Sequence, residues 1–262
     1  MNLIDRMRPR PRLRVLVTAG AAGIGAVIAE GFLQAGAQVL ICDIDAAALA
    51  GFAAAHPEVL TSETDVSDAA AVEHLFEEVT ARLGGLDVLV NNAGVAGPTG
   101  PVDQLAIDEI RRTFDVDLMG QFQVVRLAVP MLRASGDGAI INMSSVAGRL
   151  GYPLRTPYAA AKWGVVGFTA SLAKELGPDG IRVNAILPGV VRGPRIERVI
   201  RDRAVAAGVS YEDMEAQYLK LSSLRRMVEP EDIATMALFL CSPAGANISG
   251  QAISVCANVE TL

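Results

Sequence analysis

The sequence predicts a single α/β domain, a doubly wound parallel sheet of about seven strands with helices on both faces. Short β-branched and aliphatic runs alternate along the chain with longer stretches rich in Ala, Leu and charged residues, the pattern typical of this class. The chain has 262 residues, of which 51% are hydrophobic and 20% are charged, so it can bury one large core. Because no internal repeat, low-complexity run or linker divides it, we expect one domain.

The predicted strands cover residues 14–17, 38–42, 59–60, 87–90, 138–143, 181–187 and 252–255. Between them, apolar periodicity and helix-start signals predict helices after the first strand and at residues 46–55, 68–83, 105–134, 157–177 and 229–241.

The composition excludes several classes of function. A net charge of −6 gives no indication of nucleic-acid binding, and no apolar run is long enough to span a membrane or to serve as a signal peptide. The three cysteines, at positions 42, 241 and 256, are scattered and odd in number, which favours the reducing cytoplasm over a disulfide framework. With two histidines and no Cys-x-x-Cys motif, we expect no metal site.

Residues 1–13 form a predicted basic N-terminal tail ahead of the domain at residues 14–262. The tail is rich in arginine, and Pro9 and Pro11 oppose a helix. We predict that it is solvated. The alternative is an element that directs the protein to a compartment or binds a partner.

A glycine-rich turn at residues 18–25 (Thr-Ala-Gly-Ala-Ala-Gly-Ile-Gly) joins the first strand to a helix. This Rossmann-type order presents backbone N–H groups and a helix N-terminus to a pyrophosphate. Glycine is needed wherever a Cβ would block the phosphates. We therefore predict dinucleotide contacts at Gly20, Ala22, Gly23, Ile24 and Gly25. The alternative is that the glycines serve only tight packing.

Asp43 ends the second predicted strand. A carboxylate at this point accepts hydrogen bonds from the hydroxyls of the adenosine ribose and repels a 2′-phosphate, so the expected cofactor is NAD. The alternative role is a helix N-cap, which Asp45 supplies equally well.

A candidate acid/base pair follows the fifth strand. Tyr158 and Lys162 are four residues apart, so they share one face of a predicted helix. The ammonium favours the ionised form of a neighbouring phenol, which makes Tyr158 a candidate general acid/base. Ser145 lies just past the strand end, where its hydroxyl can hold a carbonyl oxygen. The alternative is a core helix with a solvated lysine.

These residues have the spacing Ser-x12-Tyr-x3-Lys, in register with the glycine-rich turn, the Asn-Asn-Ala-Gly segment at 91–94 and the Pro-Gly at 188–189. The set resembles the short-chain dehydrogenase/reductase family over about residues 14–255. The resemblance implies hydride transfer between NAD(H) and a secondary alcohol or ketone. Tyr158 then passes the proton, Lys162 assists it and holds the ribose, and Ser145 polarises the carbonyl.

The resemblance also implies further cofactor contacts. In the family, residues at the positions of Asp65 and Val66 flank the adenine, although an N-cap role for Asp65 is the alternative. The other implied contacts are Asn92, Ala93 and Gly94 at the fourth strand, Pro188 and Gly189 near the nicotinamide, and Val191 at its carboxamide.

The sequence departs from the family pattern after the last strand, where residues 256–258 (Cys-Ala-Asn) replace Asp-Gly-Gly, and at three places nearer the expected site. Ala19 replaces the first glycine of the turn. Asp117 replaces the asparagine that shapes a kink and holds a water near the catalytic lysine, so its membership of the catalytic set is a hypothesis. The segment 192–194 (Arg-Gly-Pro) replaces a hydroxyl residue near the carboxamide.

Residues 193–227 interrupt the strand–helix rhythm with charged and mobile side chains, and this predicts a substrate lid. Arg155, Arg192 and Arg195 lie on segments expected near the pocket, where they bind an anionic group or are surface charges. The expected substrate is a small secondary alcohol or ketone, with a polar or anionic hydroxy compound as one option. A lyase or epimerase that uses NAD and a non-catalytic NAD-binding regulator are the alternatives. We expect a homo-oligomer, a tetramer or a dimer.

Overall fold

The computed structural model describes residues 2–259. Its strands are β1 (Arg14–Thr18), β2 (Gln38–Asp43), β3 (Leu60–Glu63), β4 (Val88–Asn91), β5 (Ala139–Met143), β6 (Arg182–Pro188) and β7 (Ala252–Val255). They pair in parallel in the order β3-β2-β1-β4-β5-β6-β7, so the predicted seven-stranded doubly wound sheet is confirmed.

The helices are α1 (Leu3–Arg6), α2 (Gly23–Gln34), α3 (Ala46–Ala55), α4 (Ala69–Glu78), α5 (Ile107–Phe114), α6 (Gly120–Ser135), α7 (Thr156–Leu176), α8 (Pro194–Ala207), α9 (Tyr211–Leu221) and α10 (Pro230–Leu240). None of them, within the described part of the chain, is long and apolar enough to cross a lipid bilayer.

Two hydrophobic layers flank the sheet because successive strand residues point to opposite faces. In β1, Val15 and Val17 join the layer under α2 and α10, whereas Leu16 joins the layer under α4, α6 and α7. All three side chains are completely buried. This burial on both faces explains why the strands appear in the sequence as continuous apolar runs.

The predicted long helix at residues 105–134 is divided in two. α5 ends at Phe114, a π-helical turn covers Asp115–Met119, and α6 follows directly. The extra residue of a π turn changes which side chains face inward. Here it directs Asp117 into the interior, where 0% of the residue is exposed.

The structure shows which aspartates cap α3 and α4. Asp45 caps α3 through a hydrogen bond from the Ala48 amide, and Asp68 caps α4 in the same way. Asp43 and Asp65 therefore cap neither helix. α2 differs, because its N-cap residue, Ala22, has no side-chain acceptor for the first N–H groups of the helix.

The predicted N-terminal tail packs on the domain along part of its length. α1 precedes Pro9, which is buried, and Leu13 belongs to the hydrophobic layer under α2. Between them, Arg10 forms an exposed ion pair with Asp137.

The strand order reverses between β1 and β4, since the chain moves outward through β2 and β3 and then returns to the other side of β1. In an open parallel sheet, the crevice at the carboxyl ends of the strands beside such a reversal is where ligands bind. The glycine-rich turn, the 91–94 segment and the Ser145 region all lie at this edge.

Candidate active site

Tyr158 and Lys162 lie near the start of α7. This helix follows Arg155 and has a proline in its first turn. The Nζ atom of Lys162 is 5.6 Å from the centroid of the Tyr158 ring. Only 3% of Lys162 is exposed, and its ammonium donates a hydrogen bond of 3.2 Å to the carbonyl oxygen of Met143. The side chain is therefore fixed next to the ring.

Ser145 is held against the same helix by the turn that follows β5. Its hydroxyl oxygen accepts a hydrogen bond of 3.1 Å from the amide of Ala147, and 8% of the residue is exposed. The preceding residue, Ser144, donates to the carbonyl oxygen of Lys162 at 2.8 Å. A Cβ on Gly148 would lie 2.7 Å from that carbonyl oxygen, so only glycine allows the turn to approach α7 so closely.

Asp117 joins this group from the π turn. Its Oδ1 atom accepts a hydrogen bond of 2.6 Å from the amide of Val95, and its Oδ2 atom lies 3.5 Å from Nζ of Lys162. The structure thus brings together Tyr158, Lys162 and Asp117. A carboxylate stands where the family pattern has an amide.

Gln121 is part of the same cluster, although the sequence reasoning missed it. Its Nε2 atom donates to the carbonyl oxygen of Met143 at 3.4 Å, and that oxygen also accepts from Lys162. The side chain is buried, and its Oε1 atom has no hydrogen-bond partner within the described residues. The available signal was its position four residues after Asp117, which places both side chains on one helical face.

The glycine-rich turn has the features that a pyrophosphate requires. Gly23 has φ +55°, and no heavy atom lies within 4 Å of the position that its Cβ would take. Gly25 leaves no such space, since a Cβ there would lie 2.1 Å from the carbonyl oxygen of Ala19. Open space at Gly23 beside the uncapped start of α2 suits an anion.

Ala19 adopts a left-handed conformation, with φ +49°. Its carbonyl oxygen accepts a hydrogen bond of 2.9 Å from Nδ2 of Asn92, which also donates to the carbonyl oxygen of Thr18 at 3.1 Å. The backbone of the turn therefore keeps the shape that a glycine would give it, and the alanine bears the steric cost of that shape.

The carboxylate of Asp43 is oriented by backbone amides at the end of β2. Oδ2 accepts from the amide of Ala21 at 3.2 Å, and Oδ1 accepts from the amide of Asp45 at 3.2 Å. The residue is half-buried. Together with Gly23 and the uncapped α2, this arrangement fits the adenosine ribose and pyrophosphate of a dinucleotide.

The other predicted cofactor positions lie along the same edge. Asp65 accepts two hydrogen bonds from Ser67. Val66 lies so close to Gly120 that it fills the space that a Cβ on this glycine would need. Ala93 donates its amide hydrogen to the hydroxyl of Thr18. At β6, Pro188 is the last residue of the strand, Gly189 bonds to the carbonyl oxygen of Val255, and Val191 forms a bridge to Val228. Gly20 and Gly94 complete the edge, with Ile24 in the first turn of α2.

Known proteins resemble this chain over most of its length. A family model described as enoyl-(acyl carrier protein) reductase matches residues 19–257. Galactitol 2-dehydrogenase of Agrobacterium fabrum is 36% identical over 242 residues, which cover 92% of this chain and 94% of that protein. This chain belongs to the short-chain dehydrogenase/reductase family. It is therefore an oxidoreductase with a fold that binds a nicotinamide cofactor.

Two further proteins similar to this short-chain dehydrogenase/reductase have names that state a substrate or a cofactor. Cis-4-hydroxycyclohexanecarboxylate dehydrogenase of Sinomonas cyclohexanicum is 36% identical over 244 residues, covering 92% of this chain and 93% of that protein. The crystal structure of an actinorhodin polyketide ketoreductase with NADPH superposes with a TM-score of 0.92 at 32% identity, covering 96% of this chain and 98% of that chain.

The three arginines that the sequence places near the pocket of this short-chain dehydrogenase/reductase have different surroundings. Arg155 is buried, and its Cζ atom lies 4.8 Å from the centroid of the Tyr158 ring. Arg195 is exposed, with Cζ 6.0 Å from that centroid and Nη1 bonded to the carbonyl oxygen of Gly94. The structure does not bring Arg192 to the ring. Its side chain is 62% exposed and pairs with Glu229 at 3.0 Å.

The predicted lid consists of α8 and α9, which share a small apolar cluster with residues of the β6 edge. Tyr218 of α9 contacts Tyr152, with their hydroxyl oxygens 2.5 Å apart. Burial raises the pKa of Tyr152 and Tyr218 raises it further, whereas Arg155 and Arg203 act in the opposite direction. The sequence reasoning assigned no role to Tyr152, although its position six residues before Tyr158 placed it on the segment that leads into α7.

The side chains that could bind a metal ion are dispersed in the described part of the chain. Across residues 2–259, no three His, Cys, Asp or Glu side chains cluster closely enough to hold an ion. Burial raises the pKa of the Cys42 thiol to about 12, which makes this thiol a weak ligand and nucleophile at neutral pH.

Proposed function

We propose that this protein is an NAD-dependent dehydrogenase that oxidises a secondary alcohol to a ketone or catalyses the reverse reduction. The observation that carries the proposal is that the ammonium of Lys162 is held next to the Tyr158 ring. Both residues lie at the sheet edge where the glycine-rich turn is also found. Relatives named for galactitol and 4-hydroxycyclohexanecarboxylate support a hydroxy compound as the substrate.

Each member of the catalytic set has one task in this proposal. The phenol of Tyr158 takes the hydroxyl proton during oxidation and returns it during reduction. The ammonium of Lys162 favours the ionised phenol and holds the nicotinamide ribose. The hydroxyl of Ser145 donates to the substrate oxygen and stabilises the charge that develops there. When bound, the nicotinamide accepts or supplies the hydride.

The preference for NAD over NADP rests on Asp43. Its carboxylate is oriented by the amides of Ala21 and Asp45, and each oxygen keeps a lone pair for a ribose hydroxyl. The negative charge would repel a 2′-phosphate. No basic residue follows it directly, since Ile44 and Asp45 come next. Because the similar ketoreductase structure contains NADPH, kcat/KM has to be measured with both NAD and NADP.

The function is tested with purified protein, NAD and a panel of secondary alcohols, followed by NADH absorbance. Tyr158→Phe keeps the ring and removes the transferable proton, so turnover should fall by at least about 10²–10⁴-fold while NAD binding survives. Tyr211→Phe is the matched control, because its hydroxyl lies on α9 near Glu215 and takes no part in the proposed chemistry. Near-wild-type turnover of Tyr158→Phe would refute the mechanism.

The same assay separates the alternative functions. A lyase or epimerase would convert substrate without net formation of NADH, and a binding regulator would take up NAD without converting any compound. The presence of Ser145, Tyr158 and Lys162 together argues against a regulator.

We further propose that the protein forms a homo-oligomer, a dimer or tetramer, through the surface of α6 and α7. Three large apolar side chains are exposed in this region, Met119 at 48%, Phe122 at 44% and Trp163 at 51%. A two-fold axis pairs such a surface with its own copy. Sedimentation that gives only a 27.4 kDa species at micromolar concentration would contradict this proposal.

A cytoplasmic location is proposed from the cysteines. All three are free thiols and buried, which suits a reducing compartment. The sequence contains no others, so no disulfide is required for this fold.

A further inference from the structure

Arg155 is a buried cation beside the proposed catalytic tyrosine. Only 2% of the residue is exposed, and its Cζ atom lies 4.8 Å from the Tyr158 ring centroid and 5.3 Å from the Tyr152 ring centroid. One guanidinium nitrogen, Nη2, donates to the carbonyl oxygen of Ala96. The other two, Nε and Nη1, are buried and have no hydrogen-bond partner within residues 2–259.

The charge of Arg155 is also unmatched. No carboxylate in the described part of the chain forms an ion pair with it. A guanidinium has five N–H donors and keeps its charge at every physiological pH. Burial of such a cation without an anion is unfavourable, and its stacking on two aromatic rings offsets only part of that cost. The side chain therefore has both charge and donors available for a ligand.

A second cation approaches from the lid. Cζ of Arg203, on α8, lies 5.2 Å from the Tyr152 ring centroid and 5.5 Å from the Tyr218 ring centroid. Its Nη1 atom donates to the hydroxyl oxygen of Tyr218 at 3.3 Å, and its Nε atom is buried without a partner. Both arginines thus keep unused donors beside Tyr152, the ring that both of them contact.

The tyrosine pair supplies a further donor. The hydroxyl oxygens of Tyr152 and Tyr218 are 2.5 Å apart, so one hydroxyl donates to the other. One phenolic proton of the pair then remains for a third group. Because burial raises the pKa of Tyr152, its phenol stays protonated at neutral pH.

We propose that the guanidinium of Arg155 binds the anionic oxygen group of a hydroxy acid, a small molecule with its secondary alcohol at the hydroxyl of Tyr158 and a carboxylate or sulfonate a few bonds away on Arg155. The proposal rests on the function proposed above and names its substrate class. The planar fork of the guanidinium matches two oxygens of such a group. Arg203 adds positive charge, and the tyrosine pair adds a hydrogen-bond donor.

Two of the residues around the proposed subsite belong to the predicted lid. Arg203 and Tyr218 belong to α8 and α9, which pack on each other through Val199, Ala204 and Met214. In this proposal, an outward movement of the two helices would separate Tyr218 from Tyr152 and expose the buried donors of Arg155 to a ligand.

The first experiment measures anion binding apart from chemistry. Cyclohexanecarboxylate and cyclohexanesulfonate carry the anionic group without a hydroxyl, and cyclohexanecarboxamide is a neutral counterpart. In calorimetric titrations with and without NADH, at least one acid should bind about 10- to 100-fold more tightly than the amide. The better acid identifies the anionic group. Equal affinity for both acids and the amide overturns the proposal.

The second experiment assigns the selectivity to Arg155. Arg155→Gln removes the cation and keeps a hydrogen-bonding side chain, so it should weaken binding of the preferred acid by about 10- to 100-fold and leave the amide nearly unchanged. Arg198→Gln makes the same change at an exposed position of α8 and should affect neither ligand. If Arg155→Gln weakens both ligands equally, or neither, the proposal is wrong.

A second variant covers the case in which Arg155→Gln does not fold. Arg203→Gln should lower the affinity for the preferred acid more than that for the amide, with a smaller effect than at Arg155, since Arg203 is only half-buried. An equal effect on both ligands would again overturn the proposal. Thermal melts of each variant without ligand identify a general loss of stability.

Turnover distinguishes failure of the subsite from failure of the proposed function. The pair for comparison is 4-hydroxycyclohexanecarboxylate and 4-hydroxycyclohexanecarboxamide with NAD. A higher kcat/KM for the acid supports both proposals. Equal values for the two compounds leave the dehydrogenase function in place and overturn the anion subsite. Acid-selective binding without oxidation of any alcohol retains the subsite and refutes the dehydrogenase function.

Discussion

The ammonium nitrogen of Lys162 lies 3.5 Å from Oδ2 of Asp117, and the two side chains are only 4% and 0% exposed. Gly94 packs on both, because a Cβ there would lie 3.1 Å from Oδ1 of Asp117 and 3.2 Å from Nζ of Lys162. A buried negative charge therefore opposes the cation that is proposed to favour the ionised form of Tyr158. This electrostatic balance has a measurable consequence for the pH dependence of the reaction.

Asp117→Asn removes the negative charge and keeps an oxygen that accepts from the amide of Val95. With the opposing charge gone, Lys162 favours the ionised Tyr158 more strongly. The acidic limb of kcat for alcohol oxidation should therefore move to lower pH, with activity retained. A pH–rate profile with saturating NAD measures the shift.

Asp115→Asn is the matched control for this variant. It makes the same change two residues earlier in the π turn, at an exposed position, and should leave the profile in place. An unshifted profile of Asp117→Asn, with level or higher activity, would show that Asp117 is merely a tolerated replacement for asparagine.

The architecture was predictable because it depends on local patterns. The strand at Arg14–Thr18, the glycine-rich turn and α2 follow one another in the sequence, and their order determines where the carboxyl edge of the sheet lies. The Ala46–Ala55 helix has the predicted bounds for the same reason. The caps were less predictable, since Asp, Ser and Asn side chains near a helix start compete on nearly equal terms.

The environment of Arg155 was not predictable from local sequence. An arginine in a polar segment usually lies at the surface, but this one is buried against the rings of Tyr152 and Tyr158. The hydroxyl contact between Tyr152 and Tyr218 joins residues 66 positions apart. Such a contact forms through the lid, and the periodicity of neither segment indicates it.

Asp87 contributes to stability in a pH-dependent manner. Arg14 donates to it from Nε at 2.9 Å and from Nη2 at 2.8 Å. Burial raises the pKa of the Asp87 carboxyl, but the hydrogen bonds and charge of Arg14 outweigh burial and hold it below the usual range. The contribution is therefore present above about pH 4, the ordinary value, and is lost as the pH falls through the depressed pKa.

Asp87→Asn should consequently lower the free energy of unfolding by about 1–3 kcal/mol at pH 7 and by less as the acidity increases. Denaturant unfolding across this pH range measures the difference. Asp137→Asn is the control, because its pair with Arg10 is 54% exposed on both sides and should matter little. A deficit of the same size at every pH would contradict the assigned ion pair.

Ala19→Gly should stabilise the protein. The left-handed φ of +49° costs a non-glycine residue about 1–2 kcal/mol, and glycine would remove this cost. The greater freedom of glycine in the unfolded chain offsets about 0.4–1 kcal/mol of the resulting stabilisation. The expected net gain is about 0.5–1 kcal/mol, which raises Tm by roughly 1–4 °C in a domain of this size. Calorimetry provides the measurement.

Ala22→Gly provides the comparison for Ala19→Gly. Ala22 has φ −147°, an ordinary extended conformation, so glycine there removes no strain and Tm should stay level or fall. Equal increases in Tm for both variants would show that the gain does not come from the backbone of residue 19.

Asp43→Ala should weaken the discrimination between NAD and NADP. The substitution removes the acceptor for the ribose hydroxyls, and hydrogen bonds to a charged group contribute about 1.5–3 kcal/mol each, so kcat/KM for NAD should fall by about 10- to 100-fold. It also removes repulsion of the 2′-phosphate, so kcat/KM for NADP should hold or rise. Glu58→Ala removes one exposed carboxylate before the amino end of β3, whereas Asp43 lies at the carboxyl end of β2. This control should leave the ratio of the two kcat/KM values unchanged. A wild-type protein that prefers NADP, or an Asp43→Ala variant with an unchanged ratio, would show that this carboxylate does not select the cofactor.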